Sequence, residues 1–293
     1  MEKIIKADSF PKIIVVDTCS YCNLSCSMCF HKDMKRKKGV MAWSLYTRII
    51  NEIASEDKNA RVWLVFFGEA LIIKNIDNGI FDMIRYAKRK GLTDVVLNTN
   101  GCLMDEECCK KLIASGLDSI YIGIDAATKE TYEKYRVDGD FNKAVKNVLT
   151  LAALNTSDLK IYVQFVQMEG NKHEEQAFID FWSKHNVIVK IRPMVSWGGK
   201  VKTSQKKYNN EREACYWAMQ SFCVTDTGVV VNCAVDLDAS LNAGNVKDSS
   251  IKEIWNGALK QNRINHIAKN WGALPSICKE CQDWQSATCK YVK

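Results

Sequence analysis

Cys22-Asn23-Leu24-Ser25-Cys26-Ser27-Met28-Cys29-Phe30 puts three thiols on one short stretch, in the pattern C-x3-C-x2-C followed by an aromatic residue. It comes just after an apolar run, Ile13–Asp17, and five further runs follow: Val62–Phe67, Asp94–Asn98, Ser119–Ile124, Ile161–Gln167 and Val187–Ile191. All are short, rich in β-branched residues and nearly continuous in hydrophobicity, as strands of a parallel sheet are when both faces are covered. Helix-period patterns alternate with them. Ser44–Ala54 carries Leu45, Ile49, Ile50 and Ile53 on one face with Ser44 as the expected cap. Ile76–Arg89, Asp105–Ala114, Phe141–Leu154 and Glu174–His185 read alike, with Gly91 and Gly116 where helices stop. Six βα units imply right-handed crossovers and a parallel sheet. They are too few for an eight-stranded closed barrel. The expected fold is therefore α/β, an open, partial (β/α)6 barrel, and the thiol loop falls at the carboxyl end of its first strand, where such folds place active sites.

Three thiolates on one loop suit an iron–sulfur cube with one iron left open to a further ligand. The alternative is structural zinc, which wants four ligands or a well-spaced histidine. His31 lies only two residues past Cys29, and Cys19 reads as a spare thiol. Thirteen cysteines, an odd number, argue against a disulfide framework. No run of about 18 apolar residues suggests a membrane span, and the start, MEKIIKADSFPK, lacks the apolar centre of a secretion signal. The cytoplasm is the expected compartment. Lys and Arg outnumber Asp and Glu, 41 to 34. The densest basic run, Lys35–Lys38, reads as a solvated loop or as a docking surface for an acidic electron donor or an anionic substrate. Without interleaved aromatic residues it speaks against a nucleic-acid partner.

The cysteine loop after the first strand resembles that of the radical S-adenosylmethionine (SAM) superfamily, and the six βα units resemble that family's partial barrel. The resemblance implies a [4Fe–4S] cluster on Cys22, Cys26 and Cys29, with SAM on the open iron. Phe67-Gly68-Glu69-Ala70 is similar to the family's Gly-Gly-Glu-Pro segment, keeping Gly68 and Glu69 for the SAM amino group. At Gly123-Ile124-Asp125, where many relatives begin with serine, Asp125 is implied as an acceptor for the ribose. Tyr132, Tyr135 and Arg136 resemble a segment whose arginine meets the SAM carboxylate; the plain reading of Arg136 is a helix-end surface residue. Asn98-Thr99-Asn100-Gly101 resembles a family feature at the sheet mouth, with Asn98 near cofactor or substrate. Gln164 and Gln167 either reach into that space or are satisfied in the core.

The late cysteines form a second constellation. Cys215, Gly228, Cys233, Cys278 and Cys281 resemble the opening of the SPASM pattern, C-x9–15-G-x4-C, a gap, then C-x2-C. Four ligands imply one auxiliary [4Fe–4S] cluster in a small cysteine-rich twitch/SPASM-like domain. The same thiolates would also suit zinc, and Cys223 and Cys289 stay open as alternative ligands or free thiols. A hairpin is expected here, Cys223–Thr225 and Val229–Asn232 about the turn Asp226-Thr227-Gly228, then a helix over Ser250–Asn256. The expected organisation is a barrel over 1–195, a linker over 196–213 and the auxiliary domain over 214–293.

The implied activity is reductive cleavage of SAM, with the electron from flavodoxin or ferredoxin. Hydrogen-atom abstraction from a small polar, sugar- or cyclitol-like substrate then leads to oxidation or epimerisation. Cys102, after Asn98–Gly101, is a candidate hydrogen donor or a plain buried cysteine. Two alternatives stand beside this: a peptide-modifying enzyme of the SPASM type, and a non-catalytic iron–sulfur electron carrier.

Overall fold

The computed structural model describes residues 9–65, 67–202, 212–279, 281–285 and 289–292. In chain order the elements are β1 (Ile13–Val16), α1 (Trp43–Glu56), β2 (Arg61–Trp63), α2 (Ile80–Arg89), β3 (Val95–Thr99), α3 (Glu106–Ala114), β4 (Ser119–Gly123), α4 (Lys129–Tyr135), α5 (Phe141–Leu154), β5 (Lys160–Gln167), α6 (Glu175–Trp182) and β6 (Ile188–Pro193). The remainder comprises α7 (Tyr216–Gln220), β7 (Ser221–Val224), β8 (Val229–Val231), β9 (Asn242–Asn245), α8 (Ile251–Asn256), α9 (Ala258–Ile267), α10 (Ser276–Lys279) and β10 (Lys290–Val292). Among the described residues no helix is long and apolar enough to cross a membrane.

β1 to β6 lie side by side in chain order, all parallel. Their side chains alternate between two cores because a strand has a period of two. Ile14, Val16, Val62, Val95, Leu97, Ile120, Ile122, Ile161 and Val163 pack under the helices, against Ile49, Ile50 and Ile53 of α1 and Leu151 of α5. Each such buried side chain contributes about 1.5–3 kcal/mol. Ile13, Val15, Trp63, Val96 and Tyr121 face the other way into an inner core. There Tyr121 stacks on Tyr162 at 4.3 Å, and the Lys190 ammonium sits 4.6 Å over the Tyr121 ring.

The C-terminal segment completes this sheet at both edges. β7 adds to β1 in parallel, and β8 and β9 follow antiparallel. At the far side β10 pairs antiparallel with β6. Open edges carry unpaired backbone groups, and here one segment covers both. Gly228 takes the left-handed φ of +90° that the β7–β8 turn needs.

Several local expectations need correction. Ser44 is not the cap of α1: the helix begins at Trp43, with Ala42 at the cap position and no capping side chain. The helix expected from Ile76 begins at Ile80. The run expected over Val62–Phe67 is a strand only over Arg61–Trp63, and its Phe66 lies outside the described residues. α4 was expected only in so far as Arg136 was read as a helix-end residue, and Arg136 does stand at its end. The helix is built by Thr128, which caps Thr131, and by Glu174 from a distant loop, whose carboxylate accepts from Ala127 N (2.6 Å), Thr128 N and Oγ1, and Thr131 Oγ1. Burial would push Glu174 up, but these four donors hold its carboxyl below the ordinary range.

Arg36 does not stay in a solvated loop. Lys35 and Lys37 are exposed, but Arg36 turns inward and pairs with buried Asp17 after β1 (2.6 Å) and with Asp226 in the β7–β8 turn. Its Nε donates to Leu237 O at 2.7 Å, and its guanidinium lies 5.4 Å over the Phe67 ring.

Candidate active site

The cysteine loop leaves the carboxyl end of β1 and is held from two sides. Ser25 N donates to Val137 O and Ser27 N to Tyr135 O. On the other side Glu69 N donates to Tyr21 O at 2.8 Å. Gly68 makes that approach possible: a Cβ there would lie 2.3 Å from Cys19 O and 2.5 Å from Tyr21 O. Asn100 Nδ2 adds a bond to Asn23 Oδ1.

Cys22, Cys26 and Cys29 line one cavity together with Gly68, Glu69, Asn98, Asp125, Arg136 and Gln164. The loop, the ends of β2, β3, β4 and β5 and the end of α4 thus bring these nine expected residues to one place. Burial pushes the Cys22 thiol up to about 12 and raises Cys26 and Cys29 as well. Such thiols become good ligands only when a metal supplies positive charge.

Glu69 is buried, and both its oxygens are engaged: Oε1 by Leu71 N and Thr99 Oγ1, Oε2 by Asn100 N at 2.8 Å. Asp125 is left-handed at φ 62° and similarly fixed. Its Oδ1 accepts from Val166 N, its Oδ2 from Arg136 Nε (2.9 Å) and Nη2 (2.5 Å), and its carbonyl from Asn171 Nδ2. Asp125 is therefore foremost the residue that holds Arg136, whose plain reading as a surface residue is overturned. Burial works against the Arg136 charge, but the Asp125 carboxylate and Cys26 thiol raise its pKa above the ordinary value. Gly123 explains the absent serine: a Cβ there would lie 2.0 Å from Arg136 Nη2, so the guanidinium occupies that space.

Asn98 Oδ1 is buried and has no hydrogen-bond partner among the described residues. An orphaned acceptor beside three soft thiols fits an iron–sulfur cube carrying a ligand rich in N–H and O–H groups.

Two residues left with two readings take the plain one. Cys102 does not line the cavity; it sits in the outer core with its Sγ 3.4 Å from Tyr132 Oη. Gln167 pairs with Glu175 at 2.6 Å instead. Among the lining residues not foreseen as such are Arg192 and Trp197. Arg192 follows Lys190 at the period of two, a charged pair inside an apolar strand, and that was their signal. Trp197, expected only to pack, donates from Nε1 to Met28 O and contacts the Phe30 ring at 5.3 Å. The start of the expected linker is thus part of the cavity wall, tied down by Asp283, which accepts from Ser196 N and Gly198 N. Residues 203–211 of that linker lie outside the described residues.

At the other end of the chain Cys215, Cys233, Cys278 and Cys281 are raised chiefly by burial, and Cys233, Cys278 and Cys281 each feel the charge of Cys215. Asn232 Nδ2 donates to Cys278 Sγ and Asp283 N to Cys281 Sγ, both at 3.4 Å. Such outer bonds steady thiolate ligands. Cys223 is buried in the inner core and Cys19 in the outer one. Cys289 lies beside β10. Among the described residues no three His, Cys, Asp or Glu side chains converge closely enough to hold a single metal ion.

Comparison with known proteins agrees with this geometry. The family model described as the radical SAM superfamily matches residues 16–181, and that of an iron–sulfur cluster-binding domain, SPASM, matches residues 215–282. A curated relative, the S-adenosyl-L-methionine-dependent 2-deoxy-scyllo-inosamine dehydrogenase of Niallia circulans, is 21% identical over 94% of each chain. Several other curated relatives are matched in part only, the chain spanning 31% to 54% of their length. Among solved structures, BtrN in complex with AdoMet and 2-DOIA superposes with a TM-score of 0.66 at 19% identity over 96% of each chain. Streptococcus suis SuiB bound to its precursor peptide SuiA gives 0.72 at 13% identity, over 87% of this chain and 67% of that one. Cysteine loop, partial barrel and a match over more than half of its length together place the chain in the radical SAM superfamily, with a C-terminal SPASM domain.

Proposed function

We propose that this chain cleaves SAM reductively and uses the product to take a hydrogen atom from a small polar, sugar- or cyclitol-like substrate, oxidising or epimerising it. The observation that carries this is the convergence of Cys22, Cys26, Cys29, Gly68, Asn98, Arg136 and Gln164 on one cavity. A bound cluster with SAM would supply the reducing power and the radical chemistry, while the protein would position the reactants and exclude water.

In this reading Cys22, Cys26 and Cys29 hold the cluster. Gly68 lets the adjoining backbone reach the SAM amino group. Arg136, locked by Asp125, presents its charge to the SAM carboxylate. Asn98 and Gln164 offer polar groups to ribose or substrate. Cys215, Cys233, Cys278 and Cys281 would hold one auxiliary cluster, which would supply electron-accepting capacity for an oxidation. Flavodoxin or ferredoxin is the reductant, and exposed Lys35 and Lys37 suit an acidic partner. The cytoplasm keeps thiols reduced, in keeping with thirteen cysteines that are all unpaired.

A sugar-like substrate is favoured by the end-to-end match to an enzyme of that substrate class. The test is anaerobic reconstitution followed by measurement of 5′-deoxyadenosine. Stimulation by cyclitols or sugars is the expected result. Stimulation by peptides alone would overturn the substrate class, and absence of SAM cleavage would overturn the whole reading.

A further inference from the structure

We propose that Arg192 receives an anionic group, a carboxylate or a phosphate, on the substrate. This deepens the reading above and rests on it.

The argument is an account of charge around the cavity. Besides the three cysteines, two acidic and two basic side chains line it: Glu69, Asp125, Arg136 and Arg192. Glu69 is satisfied by two backbone amides and the Thr99 hydroxyl. Asp125 and Arg136 satisfy each other at 2.5 and 2.9 Å. That leaves Arg192. Among the described residues no carboxylate lies within ion-pair distance of it, and the groups that act on it do so by charge and not through a hydrogen bond. Asp125, Cys289 and Cys29 are near enough to influence it, without bonding to it; burial lowers its pKa from the ordinary value, yet an arginine so shifted is still charged at neutral pH. A half-buried guanidinium that faces a cavity with no carboxylate paired to it keeps its fork of N–H donors free, so a complementary anion gains by binding there, through two parallel N–H···O bonds.

Position separates this group from the cofactor's. The residues expected to hold SAM come from β2 to β5, the turns after them and the end of α4. Arg192 stands on β6, two residues along from Lys190, and the same wall continues into Met194, Val195 and Trp197. Lys190 is committed to the floor, over the rings of Tyr121 (4.6 Å) and Tyr291 (5.8 Å). Arg192 is the first charge above that floor, on the wall the cofactor residues leave open. The predicted substrate thus differs in charge from a purely neutral sugar or an amine: it is a sugar acid or a sugar phosphate.

The experiment is calorimetric titration of the reconstituted holoenzyme with SAM bound. The probes are D-glucuronate, D-glucose 6-phosphate, D-glucose and D-glucosamine, and heat of binding is read rather than turnover. At least one anionic sugar is expected to bind roughly tenfold or more tighter than D-glucose, and R192Q is expected to abolish that preference. The two anionic probes tell a carboxylate substrate from a phosphate one. R192K, which keeps charge but loses the fork, is expected to fall between, and the wild-type preference needs no variant to be read.

Equal or weaker binding of both anions relative to D-glucose overturns the proposal, as does a preference that survives in R192Q. A loss of SAM affinity of about tenfold in R192Q would assign the arginine to the cofactor instead. If wild-type protein forms no 5′-deoxyadenosine with SAM and dithionite, the parent reading has failed, and that is seen in the same preparation.

Discussion

Replacing Arg36 with methionine tests how the sheet's two parts are joined. Among the described residues Arg36 is the one cation paired with both Asp17, after the first barrel strand, and Asp226, in the auxiliary hairpin turn. Asp17 is fully buried; burial raises its pKa to about 7 even though Arg36 pulls the other way. Methionine preserves much of the stem volume and removes the charge. Breaking a buried pair by deleting one partner costs about 3–5 kcal/mol, because the remaining charge is left uncompensated. The sign with pH follows from the raised pKa. Asp17 binds its proton more tightly folded than unfolded, so its burial is not penalised below the unfolded value of about 4 and is fully penalised above about 7. Without Arg36 that penalty grows and extends to higher pH. Urea unfolding of the reduced apoprotein should therefore show R36M losing about 3–5 kcal/mol at pH 8 and clearly less at pH 5. Adding D17N and D226N to R36M should recover much of the loss. A loss below about 1 kcal/mol at pH 8, or an equal loss at both pH values, would refute the reasoning.

Three further outcomes are expected. After anaerobic reconstitution, C22A/C26A/C29A should keep the iron of the auxiliary cluster and lose that of the first, and C215A/C233A/C278A/C281A the reverse; iron analysis and electron paramagnetic resonance check this. G123A places a methyl group where Arg136 Nη2 now lies, so it should displace the arginine from Asp125 and weaken SAM binding by roughly tenfold, read by equilibrium dialysis. E174Q should cost about 1–3 kcal/mol near neutral pH by chemical denaturation. Because the folded pKa of Glu174 is lowered, its contribution is present above the unfolded value near 4.3 and fades as pH falls through the folded one, so the gap between wild type and E174Q should close in acid.

The local chemistry was legible in the chain alone. C-x3-C-x2-C needs no tertiary context, because three thiols within eight residues can reach one cluster whatever lies beyond. The six parallel strands were legible too, because burial on both faces leaves continuous β-branched runs. Charges inside β6 were visible as Lys190 and Arg192, but whether they face helices, solvent or a cavity depends on strand phase and on what stands opposite. Only the folded chain decided that Arg36 enters the core, that Asp125 is spent on Arg136, that Cys102 turns away from the cavity and that one C-terminal segment covers both edges of the sheet. The physical reason is the same in each case. These contacts join residues remote in sequence, Arg36 to Asp226 and Glu174 to Thr128 among them, and they form only because strand order and burial bring the partners together where an unpaired charge would be costly.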